Sequence, residues 1–423
     1  MNNSHVWSSK ELITASKLNA LAELSLVNSL STDLTSRAKN VKSFGAVGDG
    51  VSDDTTAIQS ALDSFQTTGG ILFMPQGNYK ISKALKIYQG TTIQGAGIAG
   101  RLGDYKLNPG EERPKPGTNI IQSSPNENGI MNAEPTVYNI TLQDLVITGA
   151  GSGTGNGIYF DWAINGQDDN GRLSHLQFER IFVTDFGNNG IELHCPILTT
   201  LINVHSQNNG NNGFELLATG FSNSFINTWA ANNKNIGYHA VEYSYTSFVN
   251  CAADYNDIGY QLEGCQNASL LNSGAERQLT RALNIIGSNL INVFGFEVVG
   301  NNDTAIYVDQ NSFGIHIFGA ADNSVNATAK VFIHASWGAQ IVTSAINTSD
   351  QAPNQYDDWS YVTELTNSQG YFAVSPHKGI VNGHGVTSDR PSGTAGLQWF
   401  DQTLGKPIWH NGTNWVDSTG KIV

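Results

Sequence analysis

From residue 157 onward, apolar residues recur in short alternating runs rather than at helical spacing. Each run opens on a small residue: Gly157-Ile-Tyr-Phe, Gly190-Ile-Glu-Leu, Gly213-Phe-Glu-Leu, Gly237-Tyr-His-Ala, Gly259-Tyr-Gln-Leu, Ala282-Leu-Asn-Ile and Ala305-Ile-Tyr-Val. The first interval is 33 residues and the next five are 23, 24, 22, 23 and 23. A second anchor, Asn203, Asn227, Asn250 and Asn272, keeps the same step, with Arg180 in the equivalent place one unit earlier. A unit of this size holds two or three short strands with their turns. It cannot bury an apolar face alone, but a stack of such units buries a continuous core. The period therefore predicts an all-β chain, a right-handed parallel β-helix. A leucine-rich repeat has a similar period but needs a regular Leu/Asn consensus, which this chain lacks. The surplus in the first interval falls near Ile164 to Ser174, a polar loop beside the solenoid.

Alternation along a strand assigns the faces. The positions held by Ile191, Phe214, Tyr238, Tyr260, Leu283 and Ile306 are apolar throughout, and so are those of Leu193, Leu216, Ala240, Leu262, Ile285 and Val308. Both columns point inward. The column between them points out and reads Tyr159, Glu192, Glu215, His239, Gln261, Asn284 and Tyr307. On the strand after the Asn anchor, Val204, Thr228, Cys251 and Ser273 point in, as do Ser206, Ala230, Ala253 and Ala275. His205, Trp229, Ala252 and Gly274 point out, followed by Gln207, Ala231, Asp254 and Glu276. The Asn anchors belong at a bend, where amide side chains can stack along the solenoid.

The two ends have other patterns. Ala20, Leu24, Val27, Ser31, Leu34, Ala38 and Val41 alternate steps of four and three, a heptad-like stripe. It predicts a helix over residues 12 to about 40, within an N-terminal anchor or trimerisation segment 1–40, that either pairs in a short coiled coil or lies on the next domain. The β-helix body is expected over 41–346, with a capping helix at about 53–66, where Ile58, Leu62 and Phe65 share one face. Asp53 and Asp54 suit the N-terminus of that helix. Residues 347–423 are expected to form a β-rich foot.

Composition narrows the function. Charged residues are only 14% of the chain, Gly numbers 45, and the formal net charge is -14. Gly and Asn tolerate the left-handed backbone of tight turns. A phosphate backbone would be repelled, which argues against nucleic acid and against anionic membranes. Cys195, Cys251 and Cys265 form no CxxC pair, so neither a disulfide framework nor a structural metal is expected. No cofactor is called for. The first residues lack a secretory layout, and no run approaches a membrane span.

The runs FGAVGDGVSDDTTAIQSALD, GGILFMPQGNYKIS and TTIQGAG, within residues 41–97, resemble the N-terminal cap of the pectate-lyase-like β-helix superfamily. Many phage tailspikes and polysaccharide depolymerases belong to it. The segment GTAGLQWFDQTLGKPIWHNGTNWVDSTG, with Trp399, Trp409 and Trp415, resembles a tail segment of phage fibre and spike proteins. The resemblance implies a homotrimeric viral tailspike, attached to a tail or baseplate through its N-terminal segment. It would act at the host surface on a bacterial capsule, exopolysaccharide or wall glycan.

Two outward faces could carry the chemistry. One stacks Glu192, Glu215 and His239. The other stacks Asp254 and Glu276, with Trp229 and His205 one column away and Arg277 adjacent. Rungs lie about 4.8 Å apart, near the carboxylate separation of a retaining glycosidase. A Trp offers a sugar ring an apolar plate. Asp254 with Glu276 is the first candidate pair, because Trp229 and Arg277 are near. The stretch Asn272-Ser-Gly-Ala-Glu276 also resembles segments of phage β-helix depolymerases. Glu192 with Glu215 is the second pair. Trp229, His205, His239, Arg277 and Tyr307 are candidates for binding substrate. The plain alternative for each carboxylate is solvated surface, and for Glu276 an ion pair with Arg277. Lyase chemistry, using Arg277, Arg281, His239 or Tyr307, and a non-catalytic receptor-binding spike remain open. Gly383-His384-Gly385 looks like one pectin-hydrolase motif but lacks its companions.

Overall fold

The computed structural model of the chain describes residues 16–17, 19–26, 38–98, 117–164, 172–300, 304–309, 311–318, short strands between 321 and 385, and residues 386–390 and 398–423. The expectations placed on residues 27–37, 99–116 and 165–171 lie outside the described residues.

The body is a right-handed parallel β-helix. One hydrogen-bonded sheet of 22 strands and a second of 11 run along it, and their neighbours are parallel except at the last pair of the larger sheet. The 11-stranded sheet contains the Gly-anchored runs. Ile191–His194 pairs with Phe214–Leu217, which pairs with Ile236–Val241, then Ile258–Glu263, Arg281–Ile286 and Thr304–Val308. Every residue of the two expected inward columns is buried, from Ile191 and Leu193 to Ile306 and Val308. Within them Phe214, Tyr238 and Tyr260 form a stack with 4.7 Å between successive ring centroids and interplanar angles of 2° and 5°. The Gly anchors follow from the packing beneath them. A Cβ at Gly190 would lie 1.9 Å from Ser206 Oγ on the facing strand.

The 22-stranded sheet bends along its length. Arg180, Asn203, Asn227, Asn250 and Asn272 mark the bend with φ between 49° and 54°. This left-handed backbone is one that Asn adopts readily. The hydrogen-bonded amide ladder, however, stands at the next corner rather than at these anchors. There Asn209 donates to Asn233 at 2.9 Å and Asn233 to Asn256 at 3.0 Å, with Gln278 on the following rung accepting from the Asn256 backbone. All four are buried, so each satisfies polar groups that would otherwise be stranded.

The helix Thr55–Asp63 closes one end, burying Ile58, Ala61 and Leu62, with Phe65 just beyond in the same core. Asp54 caps a neighbouring loop instead of the helix: its carboxylate accepts from the Val47 and Gly48 backbones at 2.5 and 2.8 Å. The N-terminal stripe is helical at 16–17 and 19–26, but its end is not. Lys39–Asn40 is a strand paired with Leu72–Phe73, and Val41 sits in the core. Val41 opens a short 3-10 helix, Val41–Phe44, and is buried by solenoid packing rather than by an extended α-helix. At the other end Asn382–Gly385, Gln398–Asp401, Lys406–His410 and Trp415–Val416 form a separate four-stranded sheet. Trp399 is buried beneath it, while His384 lies on its edge strand, apart from the repeat.

Candidate active site

The outward column of the 11-stranded sheet is continuous. Tyr159 is opposite Glu192, Glu192 opposite Glu215, Glu215 opposite His239, and the column continues through Gln261 and Asn284 to Tyr307. Yet Glu192 and Glu215 are not solvated surface. They are 9% and 8% exposed. Burying two carboxylates one rung apart is costly unless each is hydrogen-bonded, and each is. Glu192 accepts from Asn189 Nδ2 at 2.8 Å and contacts His194 Nε2 at 2.7 Å. Glu215 accepts from Asn212 Nδ2, and His239 Nδ1 lies 3.0 and 3.1 Å from its two oxygens. One amide and one imidazole therefore serve each carboxylate.

The cluster extends into the next outward column. The Tyr159 hydroxyl donates to Asp161 Oδ2 at 2.9 Å, His194 Nδ1 lies 3.9 Å from Asp161 Oδ1, and Glu263 Oε2 is 3.5 Å from His239 Nε2. Burial, with the Asp161 carboxylate second, pushes the Tyr159 phenol above its usual range. For both histidines burial disfavours charge, but the neighbouring carboxylates outweigh it. Glu192 and Asp161 raise His194 above the ordinary imidazole value, and Glu215 and Glu263 raise His239. Further along, Asn284 donates to Gln261 at 2.8 Å, Arg281 donates to Asn284 at 2.9 Å, and the Arg281 guanidinium stands 4.0 Å from the centre of the Tyr307 ring.

His194, Asp161, Glu263, Asn189 and Asn212 are the members that sequence reasoning missed. Period-two alternation already placed Asp161 and His194 outward, two residues past Tyr159 and Glu192. The two Asn residues sit three positions before their carboxylates, where a strand pattern alone gives no direction.

The neighbouring face of the larger sheet also has the expected register. His205 is opposite Trp229, Trp229 opposite Ala252, and Asp254 opposite Glu276. The two carboxylates differ from each other there. Asp254 is 8% exposed and accepts from Trp229 Nε1 at 2.6 Å, whereas Glu276 is exposed. Arg277 turns away from an ion pair with Glu276. It donates to the Tyr255 hydroxyl at 2.5 Å and stacks on that ring at 5.3 Å. His205 packs edge-on against Trp229 with centroids 5.3 Å apart, and burial holds it at about 4.

These shifts set a pH optimum for stability. His194 and His239, raised in the folded state, contribute fully below the unfolded value of about 6.5 and lose that contribution as pH rises through their folded values. His205, depressed, contributes above about 6.5 and loses it as pH falls toward its folded value near 4. Thermal unfolding should therefore peak near pH 6.5. His239→Asn should make the alkaline limb shallower while His194 keeps its share, and His205→Asn should make the acid limb shallower between about pH 6.5 and 4. A midpoint that climbs steadily to pH 9 in the wild-type protein would contradict this assignment.

Comparison with known proteins agrees with the architecture. The mannuronan C5-epimerase AlgE5 of Azotobacter vinelandii is 30% identical over 213 residues, which are 48% of this chain and 20% of that protein. Alginate lyase 7 of the same organism is 30% identical over 217 residues, 49% of this chain and 24% of that protein. The chain thus spans about a fifth to a quarter of the length of these curated relatives. Among solved structures, the gp42 tailspike of Acinetobacter phage vb_AbaP_AS12 superposes with a TM-score of 0.62 at 13% identity, covering 90% of this chain and 76% of that one. Residues 38–274, more than half of the chain, match the model of the family described as rhamnogalacturonase A/epimerase, pectate lyase-like, and the protein belongs to that family.

Proposed function

We propose that the protein hydrolyses glycosidic bonds of a bacterial surface polysaccharide, with Glu192 and Glu215 as the catalytic carboxylates, and that it does so as a viral tailspike. The observation that carries this is the in-register pair itself. Two carboxylates occupy adjacent rungs, nearly buried, each held by one amide and one imidazole. A rung spacing of about 4.8 Å suits a retaining mechanism, in which one carboxyl protonates the leaving oxygen and the other attacks the anomeric carbon. The amides fix the side chains, and the histidines can exchange the proton that the acid gives up. The family name joins a hydrolase to an epimerase, and a tailspike shares the fold.

Uronate chemistry is the second reading, favoured by the epimerase and lyase relatives. Tyr159 and His194, with rings 5.6 Å apart, would then donate and remove the proton next to a sugar carboxylate. The charge balance speaks for hydrolysis of a neutral glycan. Asp161, Glu192, Glu215 and Glu263 surround the two histidines, a poor seat for an anionic sugar.

The test is incubation of the purified protein with alginate and with capsular and wall polysaccharides from candidate hosts, followed by size-exclusion chromatography and end-group analysis. Shortened chains with ordinary reducing ends are expected. Unsaturated uronate ends would move the assignment to a lyase, and full-length chains with inverted uronates to an epimerase. Full-length, unaltered chains that co-elute with the protein would make it a binding protein without catalysis.

A further inference from the structure

We infer that the face carrying Trp229 and Asp254 is a second saccharide-binding site, one that holds a neutral sugar ring without cleaving it. The inference rests on the reading that the protein acts on a glycan, and adds a site which that reading does not use.

Three observations point to it. First, the outward column preceding this site is aromatic. Phe182, His205 and Trp229 occupy successive rungs, with centroid separations of 6.3 and 5.3 Å. Ala252 and Gly274 follow on the next two rungs, so no side chain longer than a methyl stands there before Glu297 on the third. The result is a shelf: an aromatic wall, a flat floor about two rungs long, and polar groups along one side. Second, those polar groups are arranged to read hydroxyls. Asp254, fixed by Trp229 Nε1, stands beside the indole, and Glu276, which is exposed, stands one rung on. An apolar plate flanked by carboxylates matches the two surfaces of a pyranose, whose faces are C–H and whose rim is O–H.

Third, the corner beside the shelf carries a stacked cation and aromatic ring. Its column of left-handed residues reads Asp185, Asn208, Asn232, Tyr255, Arg277 and Gly300, with φ between 53° and 64°. Asp, Asn and Gly adopt this backbone readily; Tyr and Arg do not. The two ill-suited residues fall on the rungs of Asp254 and Glu276. There they form a stacked pair, Arg277 over Tyr255, with Tyr255 39% exposed. On these two rungs a cation and an aromatic ring complete the rim of the shelf. With three carboxylates, Asp254, Glu276 and Glu297, against one guanidinium, the shelf favours a neutral sugar over an anionic one.

The two faces also differ in what they can do. Only the 11-stranded sheet gives both members of a carboxylate pair the same burial and the same partners. Here one carboxylate is buried against an indole and the other is exposed. That asymmetry suits binding.

The test uses the full chain carrying Glu215→Gln, so that bound polymer is not cut, in affinity electrophoresis through gels containing laminarin, dextran or alginate. Retardation by a neutral polymer, laminarin or dextran, is expected to exceed that by alginate. Adding Trp229→Ala should raise the apparent Kd at least about tenfold. Trp229→Phe, which keeps an aromatic face but loses the second ring and the N–H to Asp254, should stay within about threefold of the parent. Thermal unfolding of each variant separates a lost site from a lost fold. Retardation that ignores Trp229→Ala would overturn the second site and leave hydrolysis at Glu192 and Glu215 standing. Equal losses in Trp229→Ala and Trp229→Phe, with a matching drop in midpoint, would make Trp229 structural and overturn it too. If neither wild type nor Glu215→Gln is retarded by any of the three polymers, and the polysaccharide panel is left uncut, the glycan reading itself falls and this site with it.

Discussion

Glu215→Gln should abolish polysaccharide cleavage, lowering the rate by at least about a thousandfold, while the protein stays folded. The amide has the shape of the carboxylate but cannot carry a proton to a leaving oxygen or attack an anomeric carbon. The native partners tolerate the exchange. Asn212 still finds a carbonyl oxygen, and His239 Nδ1 can accept from the new amide as its tautomer requires. Glu192→Gln meets the same situation with Asn189 and His194 and should be as severe. Initial rates of reducing-end release, with circular dichroism as the fold control, give the answer. A loss of less than tenfold in both variants would remove the pair from catalysis. If cleavage then vanished in Asp254→Asn and Glu276→Gln, the centre would belong to the neighbouring face.

That alternative shows what the sequence could and could not decide. The period of about 23 and the inward columns were legible because burial enforces them: a single polar residue in the Leu193–Leu216–Leu262 column would be stranded in the core. Register came with the same pattern, so the pairings Glu192 with Glu215 and Asp254 with Glu276 could be read directly. The difference between the two pairs could not. It depends on side chains from other positions, with Asn189 and Asn212 reaching forward and Arg277 turning onto Tyr255. Alternation states which way a residue points but not what it meets there. The N-terminal stripe erred for a related reason. Val41 continues a heptad spacing, yet its burial comes from the solenoid core and the strand at Lys39–Asn40 that leads into it.

Tyr238→Ala should be the most destabilising single substitution in the central rungs, and it should damage the site as well. Tyr238 is fully buried and stacked between Phe214 and Tyr260, with Phe248 edge-on at 5.6 Å. Its hydroxyl lies 2.9 Å from Thr228 Oγ1 across the core. Truncation removes the ring contacts on both sides and leaves a cavity between rungs, costing about 3–5 kcal/mol. A solenoid is held by nearest-neighbour interfaces, so a defect in a central rung weakens the coupling between its two halves. The unfolding midpoint should fall by about 3–6 °C, and the transition should broaden or split. Tyr238→Phe keeps the stack and loses the hydroxyl's hydrogen bonds with Thr228 Oγ1 and the Ala252 carbonyl, about 1–2 kcal/mol. Phe294→Ala is the contrasting case. That ring is also stacked, on Phe318 at 5.1 Å, but it is 40% exposed and should cost well under half as much. Tyr238 also precedes His239 in the strand Ile236–Val241, so loosening its anchor loosens the imidazole that holds Glu215. Activity in Tyr238→Ala should therefore fall at temperatures well below its melting transition, and activity in Phe294→Ala should not. Equal midpoints for the two alanine variants would mean that the aromatic column fills space without binding the rungs together.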